Sequence, residues 1–251
     1  MLWAKSIPEQ EWRALSQSVA LLHCYRTEDL HRLKRLTERF LASKAIDGAG
    51  GFEVSQVVAR TIAAQACAPI LRLGLGSYTG WYSVIVYPGA FRAWHEFADE
   101  AGVWHRQRRD LQGEAWHRGP VILAWEEVQA DTRGERGGNV IVHELAHKLD
   151  LSWGGVANGM PPLHSGMPLV EWTGAFTAAF QDFQARIDAG DPLPFDPYAA
   201  TSPAEFFAVV SEIFFVRPRT LLAAYPQVHG LLARYYRQDG SNMAKLPESS
   251  I

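Results

Sequence analysis

The stretch GGNVIVHELAHKLDLSW, Gly137 to Trp153, sets two histidines, a glutamate, a lysine and an aspartate inside an apolar run. Asn139 is a good N-cap, and the pattern predicts a helix from there to about Asp150. On that helix His143 and His147 are four residues apart and lie nearly one above the other, so both imidazoles reach one ion. Glu144 sits one step round, placed to touch a water on that ion. In a chain with 9 His, His-Glu-x-x-His arises by chance on the order of 2% of the time. The stretch is therefore read as a metal site rather than as a core helix with hydrogen-bonded histidines.

Imidazoles suit Zn²⁺, which in catalytic sites takes three protein ligands and keeps one position for water. The metzincin pattern is excluded, because the position six residues after His147 is Trp153 and no glycine stands at Asp150. Asp150 shares the histidines' face. Three ligands from two helical turns would crowd one side of a tetrahedral ion, so Asp150 is expected behind the histidines, orienting one of them or closing off the site. Lys148 is expected to be a solvated side chain. Downstream, Glu205 and Glu212 are seven apart on SPAEFFAVVSEIFF, share one helical face and sit among Phe206, Phe207, Val209, Val210, Ile213 and Phe214. Carboxylates on so apolar a helix need a partner if buried. Glu205 also fits a capping box, Ser202-Pro203-Ala204-Glu205. Spacing alone ranks Glu205 first and Glu212 second as the third ligand and leaves the choice open.

Outward from the motif, Thr27 to Lys44 carries a helical apolar stripe, and Val54 to Leu73 is helix-like up to Pro69. GLGSYTG, Gly74 to Gly80, lacks the Gly-Lys-Ser/Thr of a phosphate loop and follows no strand, so it is read as a connection. Trp81–Tyr87 and Gly119–Val128 read as strands, the second an edge to which an extended peptide could add, with Ala124 and Trp125 lining the cleft. Ser152–Pro168 is a long loop whose His164 is a further site candidate. Helices are expected over Leu169–Ala189, Ser202–Val216 and a final short pair ending at Arg237. The fold class is α+β: a small mixed sheet, the His-Glu-x-x-His helix and a mostly helical C-terminal half. One domain is expected over 1–237, with N-terminal helices and sheet in 1–136, the motif helix in 139–150, a helical subdomain in 169–237, and a flexible tail in 238–251.

The chain has 251 residues, is 47% hydrophobic, and carries 24 basic and 27 acidic side chains for a net charge of −3. That is enough for one sizeable core, and the balance argues against a nucleic-acid partner. The basic run His105–Arg109 is read as a solvated face. Cys24 and Cys67 have no metal or redox spacing and read as reduced packing residues. No apolar run approaches the roughly 20 residues of a membrane span, and no leader pattern opens the chain, so a soluble cytoplasmic protein is expected.

VHELAHKLD, Val142 to Asp150, followed by YAATSPAEFFAVVSEIFF, Tyr198 to Phe215, closely resembles the Mlc titration factor A (MtfA) family of zinc metallopeptidases. The likeness runs from about Leu21 to Arg237. It implies a zincin-like fold similar to the catalytic domain of anthrax lethal factor, and one Zn²⁺ held by His143, His147 and Glu205. It also implies Glu144 as general base and an assisting Tyr198, seven residues before the ligand glutamate. A phenol there makes independent sense, because it could reach over the metal to a developing oxyanion. The resemblance further implies weak aminopeptidase activity on short peptides and binding of a glucose-responsive transcriptional repressor. The alternative it leaves is a regulatory binding protein that sequesters such a repressor and has a vestigial zinc site.

Overall fold

The computed structural model describes residues 6–89, 119–153 and 156–239, together with the backbone of strands at 91–98, 104–111 and 113–115. Helices α1 (Glu9–Ser18) and α2 (Thr27–Ser43) lead into β1 (Ala45–Gly48), α3 (Gln56–Cys67) and β2 (Ser83–Tyr87). Next come a hairpin of β3 (Phe91–Ala98) and β4 (Trp104–Leu111), then β5 (Gly113–Ala115) and β6 (Val121–Ala124). The rest is helical: α4 (Trp125–Thr132), α5 (Val140–Asp150), α6 (Leu169–Ala189), α7 (Pro203–Val216), α8 (Pro218–Ala224) and α9 (Pro226–Tyr236).

The small sheet is mixed, in the order β1-β2-β6-β5. β1 and β2 pair in parallel from Ala45↔Ser83, and β2 and β6 in parallel from Val84↔Val121. A parallel pair requires a crossover, which α3 supplies between β1 and β2. β5 then adds antiparallel to β6.

Two expectations about β6 are corrected by this order. The strand stops at Ala124 and does not run to Val128, because Glu126 and Glu127 occupy the first turn of α4, where the helix dipole favours acidic side chains. Nor is β6 an edge, since β5 pairs with it from Val121 to Leu123 and among the described strands it is β5 that ends the sheet on this side.

The core runs from α2 and α3, through α5, to α7 and α9. α7 is buried on nearly every side, with Phe206, Phe207, Phe214 and Phe215 all inside. Trp172 and Phe176 of α6 stack at 4.2 Å between ring centres, and Phe183 stacks on Phe195 at 4.8 Å. Both cysteines are free thiols; Cys67 is fully buried, and burial pushes the Cys24 thiol up to about 12. Packing continues one residue past the expected boundary at Arg237. Gln238 is buried, accepts from the Tyr25 hydroxyl and donates to the carbonyls of Ala68 and Pro69. Of the expected tail over 238–251, residues 240–251 lie outside the described residues, as do the side chains of His105–Arg109.

Candidate metal centre

α5 is held by an unusually complete N-terminal cap. Asn139 Oδ1 accepts from Val142 N at 3.0 Å, Asp131 Oδ2 accepts from Val140 N at 2.7 Å, and Glu212 Oε1 accepts from Asn139 N at 2.5 Å. Side chains from three elements thus satisfy amides that a helix start leaves without intrahelical partners, and both carboxylates lie at the positive end of the dipole. Gly138 makes room for this, because a Cβ there would overlap Glu212 Oε1. Asn139 Nδ2 also donates to Gln65 Oε1 of α3 at 2.7 Å, which ties the motif helix to the core.

α7 starts at Ser202, whose Oγ accepts from Glu205 N at 3.2 Å, with Pro203 in the first turn. This is half of the expected capping box. The Glu205 carboxylate goes instead to the imidazoles of α5. His143 Nε2 and His147 Nε2 are 3.3 Å apart, and each is 3.2 Å from Glu205 Oε2. A tetrahedral zinc ion with bonds of about 2.0 Å has ligand-to-ligand edges of about 3.3 Å. The three side chains therefore fit that ion in donor type and in spacing, and among the described residues they are the one group of His, Cys, Asp or Glu placed to do so.

Charge follows the same geometry. Burial opposes a charged His143, but hydrogen bonds to Glu205 and Glu212 and the nearby Glu144 outweigh it and push the imidazole up to about 10. Burial likewise opposes an ionised Glu205, yet its contacts with His143 and His147 bring its carboxyl well below the usual carboxylate range. Glu212 stands behind His143, its Oε2 3.4 Å from Nδ1. That contact leaves Nε2 as the nitrogen facing Glu205 and His147.

A cavity of about 470 Å³ opens beside the cluster, lined by Val140, His143 and Glu144 of α5, by Val209, Glu212 and Ile213 of α7, and by Tyr198. Asp196 Oδ1 accepts from Tyr198 N at 2.8 Å and fixes this short turn. The Tyr198 ring lies 6.3 Å from that of His143, with the side chain half exposed at the mouth.

The chain matches the model of the glucose-regulated metallopeptidase M90 family over residues 1–237. It belongs to that family. M90 relatives named "Mlc titration factor A" include one from Escherichia fergusonii, 36% identical over 244 residues that cover 94% of this chain and 90% of that protein. A second, from Cronobacter sakazakii, is 36% identical over 240 residues, covering 95% and 89%. A third, from Pectobacterium atrosepticum, is 35% identical over 245 residues, covering 94% and 91%. An M90 metallopeptidase needs a metal, and the His143, His147 and Glu205 cluster offers a place for one.

The other expected site residues are placed as follows. Asp150 accepts from Gly159 N at 2.8 Å and Met160 N at 2.9 Å, which holds the loop after the motif helix, and it lies close enough to His147 for the two to interact electrostatically. His164 Nε2 is 2.8 Å from the Tyr235 carbonyl and its ring stacks on Tyr235, at α9 and not at the cavity. Ala124 is fully buried and Trp125 packs on Phe52 at 5.9 Å; neither is among the residues that line the cavity beside the cluster. Lys148 is not solvated: it is 2% exposed, and its Nζ donates to Gly119 O at 2.8 Å and lies 5.6 Å from the Trp81 ring. Burial pushes its ammonium down to about 8. Sequence reasoning placed the Asn139 cap but missed Asp131 as a second support of the motif helix and the tie from Asn139 to Gln65; the Gly137-Gly138 pair was the one local sign that something approaches closely there.

Proposed function

We propose that this chain is a zinc-dependent peptidase with a zincin-like α+β fold that acts on short peptides, with an aminopeptidase preference, in the cytoplasm. The observation that carries this is the meeting of His143, His147 and Glu205 at tetrahedral spacing, with Glu144 beside them on a cavity wall. No helix among the described residues is long and apolar enough to cross a membrane.

A zinc ion held by these three side chains would supply the positive charge that brings a coordinated water to a pKa of about 7 and polarises a substrate carbonyl. Glu144, next to His143 on the helix, takes the proton of the attacking water. As the oxygen bonds to the carbonyl carbon and the carbon–nitrogen bond breaks, Glu144 delivers that proton to the departing amine. Tyr198, at the cavity mouth, donates its hydroxyl hydrogen to the developing oxyanion. Glu212 accepts from His143 Nδ1 and so holds the ring in the tautomer that presents Nε2.

The test is hydrolysis of aminoacyl and short-peptide chromogenic substrates by wild type and Glu144→Gln, with bound metal measured for both. Loss of a general base predicts a fall of roughly 10²–10⁴ in rate with zinc retained. A wild type that holds zinc but cleaves nothing the variant does not would sink the peptidase reading. The relatives' name, Mlc titration factor, supports a second reading, in which the chain binds an Mlc-like transcriptional repressor. Co-purification of such a repressor with Glu144→Gln as well as wild type would support it without any contribution from hydrolysis.

A further inference from the structure

The cavity beside the cluster continues past the residues that do chemistry. On the α7 side its wall is Val209, Glu212 and Ile213, followed by Arg217 just past the last turn of the helix. Val209 and Ile213, four residues apart, lie on one face of α7. Val140 of α5 lines the same cavity. Val209, Ile213 and Val140 give that wall an apolar strip, with Glu212 beside it and Arg217 at its end.

Each carboxylate on the cavity wall has a partner, although one oxygen each of Glu127 and Asp131 is buried without a hydrogen bond. Arg136 lies 3.6 Å from Glu127 and 3.9 Å from Asp131, whose other oxygen accepts from Val140 N. Glu212 bonds Asn139 N and faces His143, Asp196 bonds Tyr198 N, and Glu144 is engaged as well. Arg217 differs: among the described residues no hydrogen bond or ion pair reaches its side chain, and its Nε is buried. It packs over Gly137 at the start of the motif helix. Arg217 as a whole is only partly buried, so it is its buried Nε–H that lacks a partner, and a ligand is one way such a donor is satisfied.

We propose that Arg217 is a specificity determinant that receives a substrate carboxylate, with the stem of that group lying along Val209, Ile213 and Val140. Two sources share this chemistry: the side chain of a glutamate near the cleaved bond, and the free C-terminal carboxylate of a short peptide. The inference rests on the peptidase reading of the same site, and its test includes a readout that needs no turnover.

The experiment uses internally quenched peptides matched except for Glu or Gln on either side of the cleaved bond, each with a free or an amidated C terminus. Wild type is expected to favour the carboxylate-bearing peptide roughly tenfold to a hundredfold in kcat/KM, the range for hydrogen bonds to charged groups. Arg217→Met should bring that ratio to about one, and Arg217→Lys should keep part of it. The Glu/Gln comparison against the free/amide comparison says which carboxylate is held. In parallel, the Kd of the same peptides is measured by calorimetry on Glu144→Gln and on Glu144→Gln/Arg217→Met. Carboxylate-dependent binding that needs Arg217, without cleavage by wild type, would defeat the peptidase reading and leave this inference standing. Equal handling of Glu and Gln and of free and amidated peptides by wild type, or a preference that survives Arg217→Met, overturns it.

Discussion

Replacing Asn139 with alanine should unlock the motif helix from the core. Asn139 is 1% exposed and performs two tasks: its Oδ1 caps α5 through Val142 N, and its Nδ2 satisfies Gln65 Oε1. Loss of an N-cap costs about 1 kcal/mol. The variant also leaves Gln65 Oε1 buried without that donor, which costs about 1–3 kcal/mol. The two losses together come to about 2–4 kcal/mol, or a fall in Tm of roughly 5–15 °C for a chain of this size. Urea denaturation followed by circular dichroism measures the first figure and calorimetry the second. Adding Gln65→Leu removes the stranded acceptor and also the bonds Gln65 Nε2 donates to Thr132 Oγ1 and Thr61 O, so the double variant measures the recovery net of those losses. A single variant within about 0.5 kcal/mol of wild type would refute the reasoning.

Two further outcomes follow from the same layer of residues. Glu212→Gln should weaken zinc binding roughly 10–100-fold in competition with a chromogenic chelator, because the side chain behind a ligand imidazole sets its orientation and basicity; unchanged affinity would remove Glu212 from that role. Asp131 gives a pH signature. Burial pushes its carboxyl up to about 7, against the opposing hydrogen bond from Val140 N and the charge of Arg136, with Glu212 and Glu127 adding to the rise. Between the ordinary aspartate range and about 7 the folded protein therefore holds more protons at this site than the unfolded chain, and stability from this group is lost as pH rises through that window. Asp131→Asn removes the effect, so the stability of the variant relative to wild type should improve from pH 5 to pH 8 in urea titrations. A difference that does not change with pH would contradict the assignment.

What could be read from the sequence was what local rules decide. The Asn139 cap and the end at Asp150 placed α5, and the run Leu169–Ala189 is α6 as expected. Ser202 and Pro203 marked the start of α7. The errors share a cause, which is contact between distant segments. Lys148 was assigned to solvent because a helix normally has a wet side, but α5 is buried from Glu144 through Asp150 and its lysine reaches a carbonyl 29 residues back in the chain. β6 looked like an edge because β5 has only three residues, Gly113–Ala115, and no β-branched or aromatic signature to announce that it covers β6. Within the cluster, spacing ranked Glu205 above Glu212 without choosing between them. The structure sets one carboxylate against both Nε2 atoms and the other behind Nδ1, two positions that sequence separation along a helix cannot tell apart.

His147 and Glu205 are 58 residues apart in the chain, and between them lie the loop after α5, all of α6 and the Asp196–Tyr198 turn. A metal ion shared by them would act as a cross-link closing that long segment, and clips across long loops restrict the unfolded chain most. Because the unfolded chain does not hold the three ligands together, each tenfold excess of free ion over its Kd would add about 1.4 kcal/mol to folding. The ion would then also be a clasp between the first half of the molecule and its helical second half. Stripping it with a chelator should make the segment from 151 to 202 the first to exchange its amide hydrogens, well before the sheet.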